Sequence, residues 1–430
     1  MTLAIAILFF GVLLRLYNLT AHYLWVDEAF SWLTAHLSPT EIWSLTDAHP
    51  PFFYLLLKGW FLIAGESLFS ARLLGVIVSV AMLWGAYKLC QTMFSERVSL
   101  WVIFYLSVNS QLIFYSQQIR MYYLGITLVI WSWYFFMEGK WKWHFITTTL
   151  CVYTHYFTIF PLAFQVLYLK RGKFLGWLHS AGMGMVFYLP YLPRLTEQVG
   201  SKVAFHWKDI TLLSFFSVFF FYIYQPDVSE PFWIVLTLAL LFFYMATFFF
   251  VGMFYHWKLG LMVLFPPFLM WMISGHVQAF HPRFFLFQLP FFIILAVVGM
   301  DKMPYRKVWL TIGAMFFIVL LPFFFMSKPT ILTDGFDSIM YLNVPIIHTS
   351  SFSYLPALIE MPDHQHFLWS EFAQAGEVVI PQDARITELP KDYAMIISEE
   401  DLVGWNWEER EFPSGTYEFN EKGLKILRPL

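Results

Sequence analysis

Three apolar runs limit what this chain can become. Residues 98–115, 233–255 and 284–300 contain no acidic or basic side chain, and about 20 such residues cross a bilayer core as α-helix. A membrane β-barrel needs alternation with period two, whereas these runs are apolar on every face. Charged residues make up 13% of the sequence and hydrophobic residues 59%, against roughly 25% charged in ordinary globular proteins. A soluble enzyme is excluded as the whole answer. The expected fold class is an all-α polytopic membrane protein, and no nucleic-acid partner is expected.

Cytoplasmic loops are enriched in Lys and Arg. The basic clusters are Arg97, Lys140 with Lys142, Lys170-Arg171 with Lys173, Lys258, and Lys302 with Arg306-Lys307. Placing all of them inside predicts spans near 70–93, 98–115, 119–137, 174–192, 231–255, 259–276, 283–300 and 308–326. Residues 2–16 read as an uncleaved first span, because neither a basic n-region nor a small-residue cleavage site precedes the polar loop. Residues 144–169, broken at Thr154-His155-Tyr156, fit a helical hairpin whose tip rises toward the outer face. About eleven spans result, with the N-terminus inside and the tail outside. Residues 51–64 reach only about 21 Å as helix and carry Lys58 midway. Residues 211–224 would reverse every later loop if they crossed. Both read as re-entrant or interfacial helices on the outer side.

Composition shifts near Ser327. Residues 1–326, the expected transmembrane domain, hold 19 Lys/Arg and 12 Asp/Glu, whereas residues 327–430 hold 7 and 17. The tail also trades long apolar runs for alternating stretches. Tyr417-Glu418-Phe419-Asn420 followed by Gly423-Leu424-Lys425-Ile426-Leu427 reads as a hairpin, so a small extracytoplasmic α+β domain is expected there. Its acidity reads as solvated surface before it reads as a dock for a basic partner. Asp363-His364-Gln365-His366 has metal-binding side chains, although a solvated loop is the favoured reading. Cys90 and Cys151 sit within apolar segments in no metal or redox spacing and read as packing residues.

The topology gathers polar chemistry on the outer face, around a first loop of about 17–69. Nine of the 12 acidic residues in the first domain fall there, together with His49, Gln118, Arg120, His155, His281 and Arg283. Ionised carboxylates beside a bilayer are costly and mark sites of chemistry or transport. Asp27-Glu28 has two readings of equal weight. The pair either complements the dipole of a helix continuing through 29–37, or supplies a general base and a neighbour that orients it. His49, which follows Asp47 and precedes Pro50-Pro51, is either interfacial or a phosphate-binding or base-orienting residue. Arg120 and Arg283 either snorkel to headgroups or clamp a phosphate. No phosphate-cradling Gly-rich loop, serine nucleophile elbow or Cys-x-x-Cys site occurs.

At these residues the chain resembles the polytopic C-type (GT-C) glycosyltransferases, in particular the branch of protein O-mannosyltransferases and lipid A aminoarabinose transferases. The elements run in the family's order over roughly residues 10–300. They are Arg15-Leu16-Tyr17, then Trp25-Val26-Asp27-Glu28-Ala29-Phe30-Ser31, then Asp47-Ala48-His49-Pro50-Pro51-Phe52. Ser116-Gln117-Gln118-Ile119-Arg120-Met121-Tyr122, Tyr153-Thr154-His155-Tyr156-Phe157 and Pro282-Arg283-Phe284 follow.

The resemblance implies a polyprenyl-phosphate-linked sugar donor and an inverting transfer to an acceptor hydroxyl on a lipid, glycan or protein. The reaction would face the exterior of a bacterial inner or plasma membrane. Asp27 takes the place of the family's catalytic Asp, the general base, and Glu28 is implied as the second catalytic carboxylate, lining the same cavity. Asp47, His49, Gln118, Tyr122, His155 and Tyr156 are implied to line the substrate cavity, and Arg120 and Arg283 to bind the lipid phosphate. Gln118 is a departure, since relatives often carry Glu there. No metal ligand is assigned, and a divalent cation stays open without being required.

Two other readings are weighed. A transporter or flippase for a lipid-linked glycan would place charges near the bilayer midplane in interrupted helices, often in two matching halves, and no internal repeat is present. A catalytically degenerate scaffold has Gln118 as its only hint.

Overall fold

One polar residue decides the shape of the central span. Residues 98–115 are apolar enough for a continuous crossing, yet the computed structural model divides them into helices Glu96–Val108 and Ser110–Ser116, bent by 61°. Asn109 makes the break. Its Oδ1 accepts from the N–H of Leu112 at 3.0 Å, and its Nδ2 donates to the carbonyl of Tyr222 at 2.9 Å. Ser110 donates to the carbonyl of Ile223 at 2.7 Å. A helix leaves its last carbonyls without internal partners, and here Arg15 meets them. Its guanidinium donates to Ser107 O at 3.0 Å and Leu106 O at 3.2 Å, a cation at the negative end of the helix dipole.

The structure describes residues 2–21, 24–45, 49–200, 210–224, 232–274, 280–326, 346–348, 351–369, 385–386, 394–397, 415–419 and 425–429. Among them, four helices are long and apolar enough to cross a membrane: Leu68–Met93, Trp233–Tyr255, Pro282–Lys302 and Arg306–Phe325. Counting the bent pair as one span makes five. The eleven expected crossings are not all met by this measure. Thr2–Leu16, Tyr122–Glu138, Phe174–Tyr188 and Trp257–Ile273 form at the expected places but run 15–17 residues. That is about 22–26 Å of rise, against a hydrocarbon core of about 30 Å.

The two doubtful apolar stretches are helices Phe52–Ala64 and Leu212–Phe221, of 13 and 10 residues. Lys58, in the middle of the first, turns to the carbonyl of Ala35 at 3.3 Å. The hairpin read over 144–169 has an intact first arm, Trp141–Val152. Its second arm is fragmented into 3-10 turns at Tyr156–Thr158 and Phe164–Tyr168 around a short helix, Ile159–Ala163. The span expected from 283 opens with a 3-10 stretch, Pro282–Gln288, before continuing as α-helix Leu289–Lys302.

Small residues bring two membrane helices into backbone contact. A Cβ on Gly252 would lie 2.0 Å from the carbonyl oxygen of Leu295, and one on Gly299 would lie 1.9 Å from that of Phe248. Helices Phe232–Tyr255 and Leu289–Lys302 can meet at this distance only with glycine on both sides. Lipid gives helix pairs little hydrophobic reason to associate, so close packing of this kind is what joins them.

In the tail, six strands are described: β1 Ile346–His348, β2 His366–Trp369, β3 Arg385–Ile386, β4 Ala394–Ile397, β5 Gly415–Phe419 and β6 Lys425–Pro429. The sheet order is β3-β2-β1-β4-β6-β5. The hairpin read at 417–427 is β5 and β6, with Tyr417 opposite Leu427. Four parallel strands were not read from the sequence. Parallel neighbours require a crossover, and helix Ser351–Glu360 supplies it between β1 and β2. His366 is not in a solvated loop: it sits in β2, buried, with Nδ1 3.1 Å from Nε2 of His348.

Candidate active site

Asp27 and Glu28 lie in the first turn of helix Val26–His36, and neither acts as a cap. Successive helical positions point about 100° apart, so the two carboxylates reach different partners. Glu28 is buried and grips Arg72, with Oε2 2.7 Å from Nη2 and Oε1 3.0 Å from Nε. Its Oε1 also accepts from the N–H of Ile119 at 3.0 Å. Arg72 in turn donates to the carbonyl of Leu19 at 3.0 Å. The pair ties the first loop to helix Leu68–Met93 and to the turn before Arg120.

Asp27 faces two other cations. Its Oδ2 lies 3.0 Å from Nη1 of Arg283 and 3.9 Å from Nη2 of Arg120. Arg120 is fixed from below, donating from Nη1 to the backbone carbonyl of Asp27 at 3.0 Å and to Ser31 Oγ at 3.2 Å. The arginine side chains are 3% and 8% exposed, and the Asp27 side chain 19%. Of the three, the carboxylate is the group open to an incoming molecule.

Aromatic and imidazole rings flank this cluster. Tyr122 sits 5.5 Å from the ring of His155, which is 5.3 Å from that of His49 and 4.9 Å from that of Phe287. His281 accepts from the N–H of Arg283 through Nδ1 at 3.2 Å, capping the 3-10 turn that presents the guanidinium. Burial, and then the charge of Arg283, push the His281 imidazole down to about 3, so it is neutral at physiological pH.

No family model matches the chain, and no curated protein sequence does. Solved structures do. ArnT from Cupriavidus metallidurans bound to undecaprenyl phosphate superposes with a TM-score of 0.65 at 10% identity, over 98% of this chain and 97% of that one. An Archaeoglobus fulgidus oligosaccharyltransferase complex with Zn and sulfate does so with a TM-score of 0.53 at 11% identity, over 85% of this chain and 62% of that one. The fold is that of the GT-C glycosyltransferases. The resemblance read from the motifs therefore holds at the level of fold.

Within the GT-C fold, the expected site residues separate. Asp27, Arg120, Tyr122 and Arg283 come together, with His49 and His155 adjoining. Asp47 lies outside the described residues. Gln118 is buried, and its Oε1 has no hydrogen-bond partner among the described residues. Tyr156 is drawn elsewhere, packing with Val152, Tyr188 and Tyr191. His155 is the extended N-cap of the 3-10 turn Tyr156–Thr158, so the backbone changes conformation between the two residues.

Two arginines were missed. Arg72 is a cation near the start of an apolar span that holds one other, Lys88, and a cation so placed is a signal of a partner. Arg15, noted only as part of a motif, holds the broken helix.

Proposed function

We propose that this protein is a membrane glycosyltransferase that moves a sugar from a polyprenyl-phosphate-linked donor to an acceptor hydroxyl on the extracytoplasmic face of a bacterial inner or plasma membrane. The observation that supports it is the convergence of one accessible carboxylate, Asp27, with two buried guanidiniums, Arg120 and Arg283. Guanidinium geometry suits a phosphate, and two such groups stand here on one carboxylate. The undecaprenyl phosphate in the ArnT structure is of the same chemical class.

The reaction proposed for that arrangement is an inverting displacement. The acceptor oxygen attacks the anomeric carbon on the face opposite the phosphate, and the hydroxyl proton passes to Asp27. As the new C–O bond forms, the bond from the anomeric carbon to the phosphate oxygen breaks and its electron pair leaves with the lipid phosphate. The anomeric centre inverts. Arg120 and Arg283 stabilise the growing phosphate charge from positions fixed before reaction, the arrangement that contributes most to such catalysis. Tyr122, His49 and His155 form the adjoining wall for the sugar.

Glu28 acts as a positioning residue in this reading, since both its oxygens are engaged by Arg72 and Ile119. The described donor set does not fit a divalent cation. Asp27 is shared by two guanidiniums and Glu28 is held by a third, and among the described residues no three His, Cys, Asp or Glu side chains converge. No step is assigned to a metal.

The test uses purified, reconstituted protein and its Asp27→Asn variant with a panel of polyprenyl-phosphate sugars and host membranes. Free polyprenyl phosphate is expected from wild type alone. Equal release by the variant removes Asp27 as base. No release from any donor by folded wild-type protein overturns the reading.

A further inference from the structure

The helix that carries Asp27 starts without a local cap. Its N-cap residue is Trp25, whose side chain has no oxygen and makes no cap, whereas Ser, Thr, Asp or Asn are the residues that normally close this end. The preceding residue, Leu24, is 1% exposed, and a backbone N–H buried in that way needs an acceptor. The acceptor comes from the other end of the chain. Oε1 of Glu360, the last residue of the tail helix Ser351–Glu360, accepts from the N–H of Leu24 at 3.0 Å.

This contact is seated in packing. Helix Ser351–Glu360 lies against helix Val26–His36, and Tyr354 and Leu355 are buried in the same apolar core as Leu24, Ala29 and Phe30. Arg72 and Glu28 are close enough to act on the Glu360 charge. At the opposite end of helix Val26–His36, Lys58 donates to the carbonyl of Ala35 at 3.3 Å. The helix therefore has a side-chain partner at each end, a Glu360 oxygen on the turn before it and the Lys58 ammonium on its Ala35 carbonyl.

We propose that Glu360 is a positioning residue for the Asp27 site, holding the turn Leu24–Trp25–Val26 so that the tail fixes where the Asp27 carboxylate stands. This rests on Asp27 being the base of a glycosyl transfer. The hydrogen bond needs an acceptor oxygen of the right reach and does not need a charge. Glu360→Gln keeps that oxygen and Glu360→Ala removes it.

Two readouts test this in the full-length reconstituted protein. The first is amide hydrogen exchange in peptides covering residues 19–31. Exchange is expected to quicken in Glu360→Ala, to stay near wild type in Glu360→Gln, and to be unchanged elsewhere in the membrane helices. The second is polyprenyl-phosphate release. A carboxylate displaced by about 1 Å loses on the order of 10- to 100-fold in rate, so kcat is expected to fall by that much in Glu360→Ala. The KM for the donor should stay within about threefold, with Glu360→Gln restoring kcat.

Unchanged exchange in Glu360→Ala overturns the clamp. Faster exchange with wild-type kcat overturns its bearing on the reaction. Equal damage in Gln and Ala overturns the hydrogen bond as the cause. A wild type that releases no polyprenyl phosphate refutes the glycosyltransferase reading, and the positioning of a base falls with it. The exchange data then still decide whether Glu360 holds the turn.

Discussion

Nη1 of Arg283 lies 3.0 Å from Oδ2 of Asp27, an ion pair between residues 256 positions apart in the chain. It joins the first-loop helix to the start of a late membrane span, with Arg120 closing the group from a third element. In the proposed reaction a donor phosphate would meet both cations with the carboxylate beside them. General-base catalysis contributes about 10²–10⁴-fold. Asp27→Asn is expected to lower polyprenyl-phosphate release by that factor while the protein stays folded, because the amide oxygen still accepts from Arg283. A variant rate within threefold of wild type contradicts the assignment.

Arg283→Lys separates charge from geometry. The lysine keeps one positive charge but loses the planar fork that can hold phosphate and carboxylate together. One hydrogen bond to a charged group is worth about 1.5–3 kcal/mol, so the KM for the donor is expected to rise at least about tenfold with little change in thermal stability. Titration of release rate against donor concentration measures it.

The Glu28–Arg72 pair predicts a different signature. Both groups are buried, and their guanidinium–carboxylate contact is two-pronged. Removing one partner leaves a buried charge, at a cost of about 3–5 kcal/mol. Arg72→Ala is expected to unfold well below wild type in a detergent melt, and its lost activity should track the lost folded fraction. An Arg72→Ala protein that melts like wild type would mean that the pair does not hold the first loop.

Gly252 and Gly299 test the packing of the membrane helices. Either glycine replaced by a larger residue drives a Cβ into a facing carbonyl, from starting distances near 2 Å. Overpacking costs about 1–3 kcal/mol and sometimes more. Gly299→Val is expected to lower the melting temperature clearly, with Gly59→Ala, whose Cβ would meet nothing within 4 Å, as the neutral control.

The buried histidines of the tail set a pH dependence. Burial lowers His348 and His366 below the ordinary value of 6.5. The unfolded tail takes up protons near that value and the folded tail does not, so stability present above pH 6.5 is lost as pH falls. The slope reaches up to about 1.4 kcal/mol per pH unit for each histidine. Hydrogen exchange over residues 346–369 at neutral and mildly acidic pH should show the tail loosening in acid, and His348→Phe should loosen less. A wild-type tail that is insensitive to acid contradicts the assignment.

Local chemistry made much of this molecule legible. The runs at 233–255 and 284–300 contain enough consecutive apolar residues to be membrane helices whatever surrounds them, and helices stand there. The Asp27, Arg120 and Arg283 motifs named side chains that the fold brings together in one place. The break at Asn109 was not legible, because a polar residue in an apolar run becomes a kink only when partners such as Tyr222 and Ile223 are present to take its hydrogen bonds.

Sequence by itself determined that the chain is built of apolar helices with acidic and basic groups near their ends, since burial and backbone hydrogen bonding depend on neighbours a few residues away. Tertiary structure alone decided that Asp27 faces Arg283 and Arg120 while Glu28, one residue later, faces Arg72. It also decided that Tyr156 packs with Tyr188 and Tyr191 and that Glu360 reaches Leu24. Each of these is a choice of partner across long stretches of chain. A carboxylate's local sequence shows that it needs a cation, but the packing of distant helices settles which cation lies within about 3 Å.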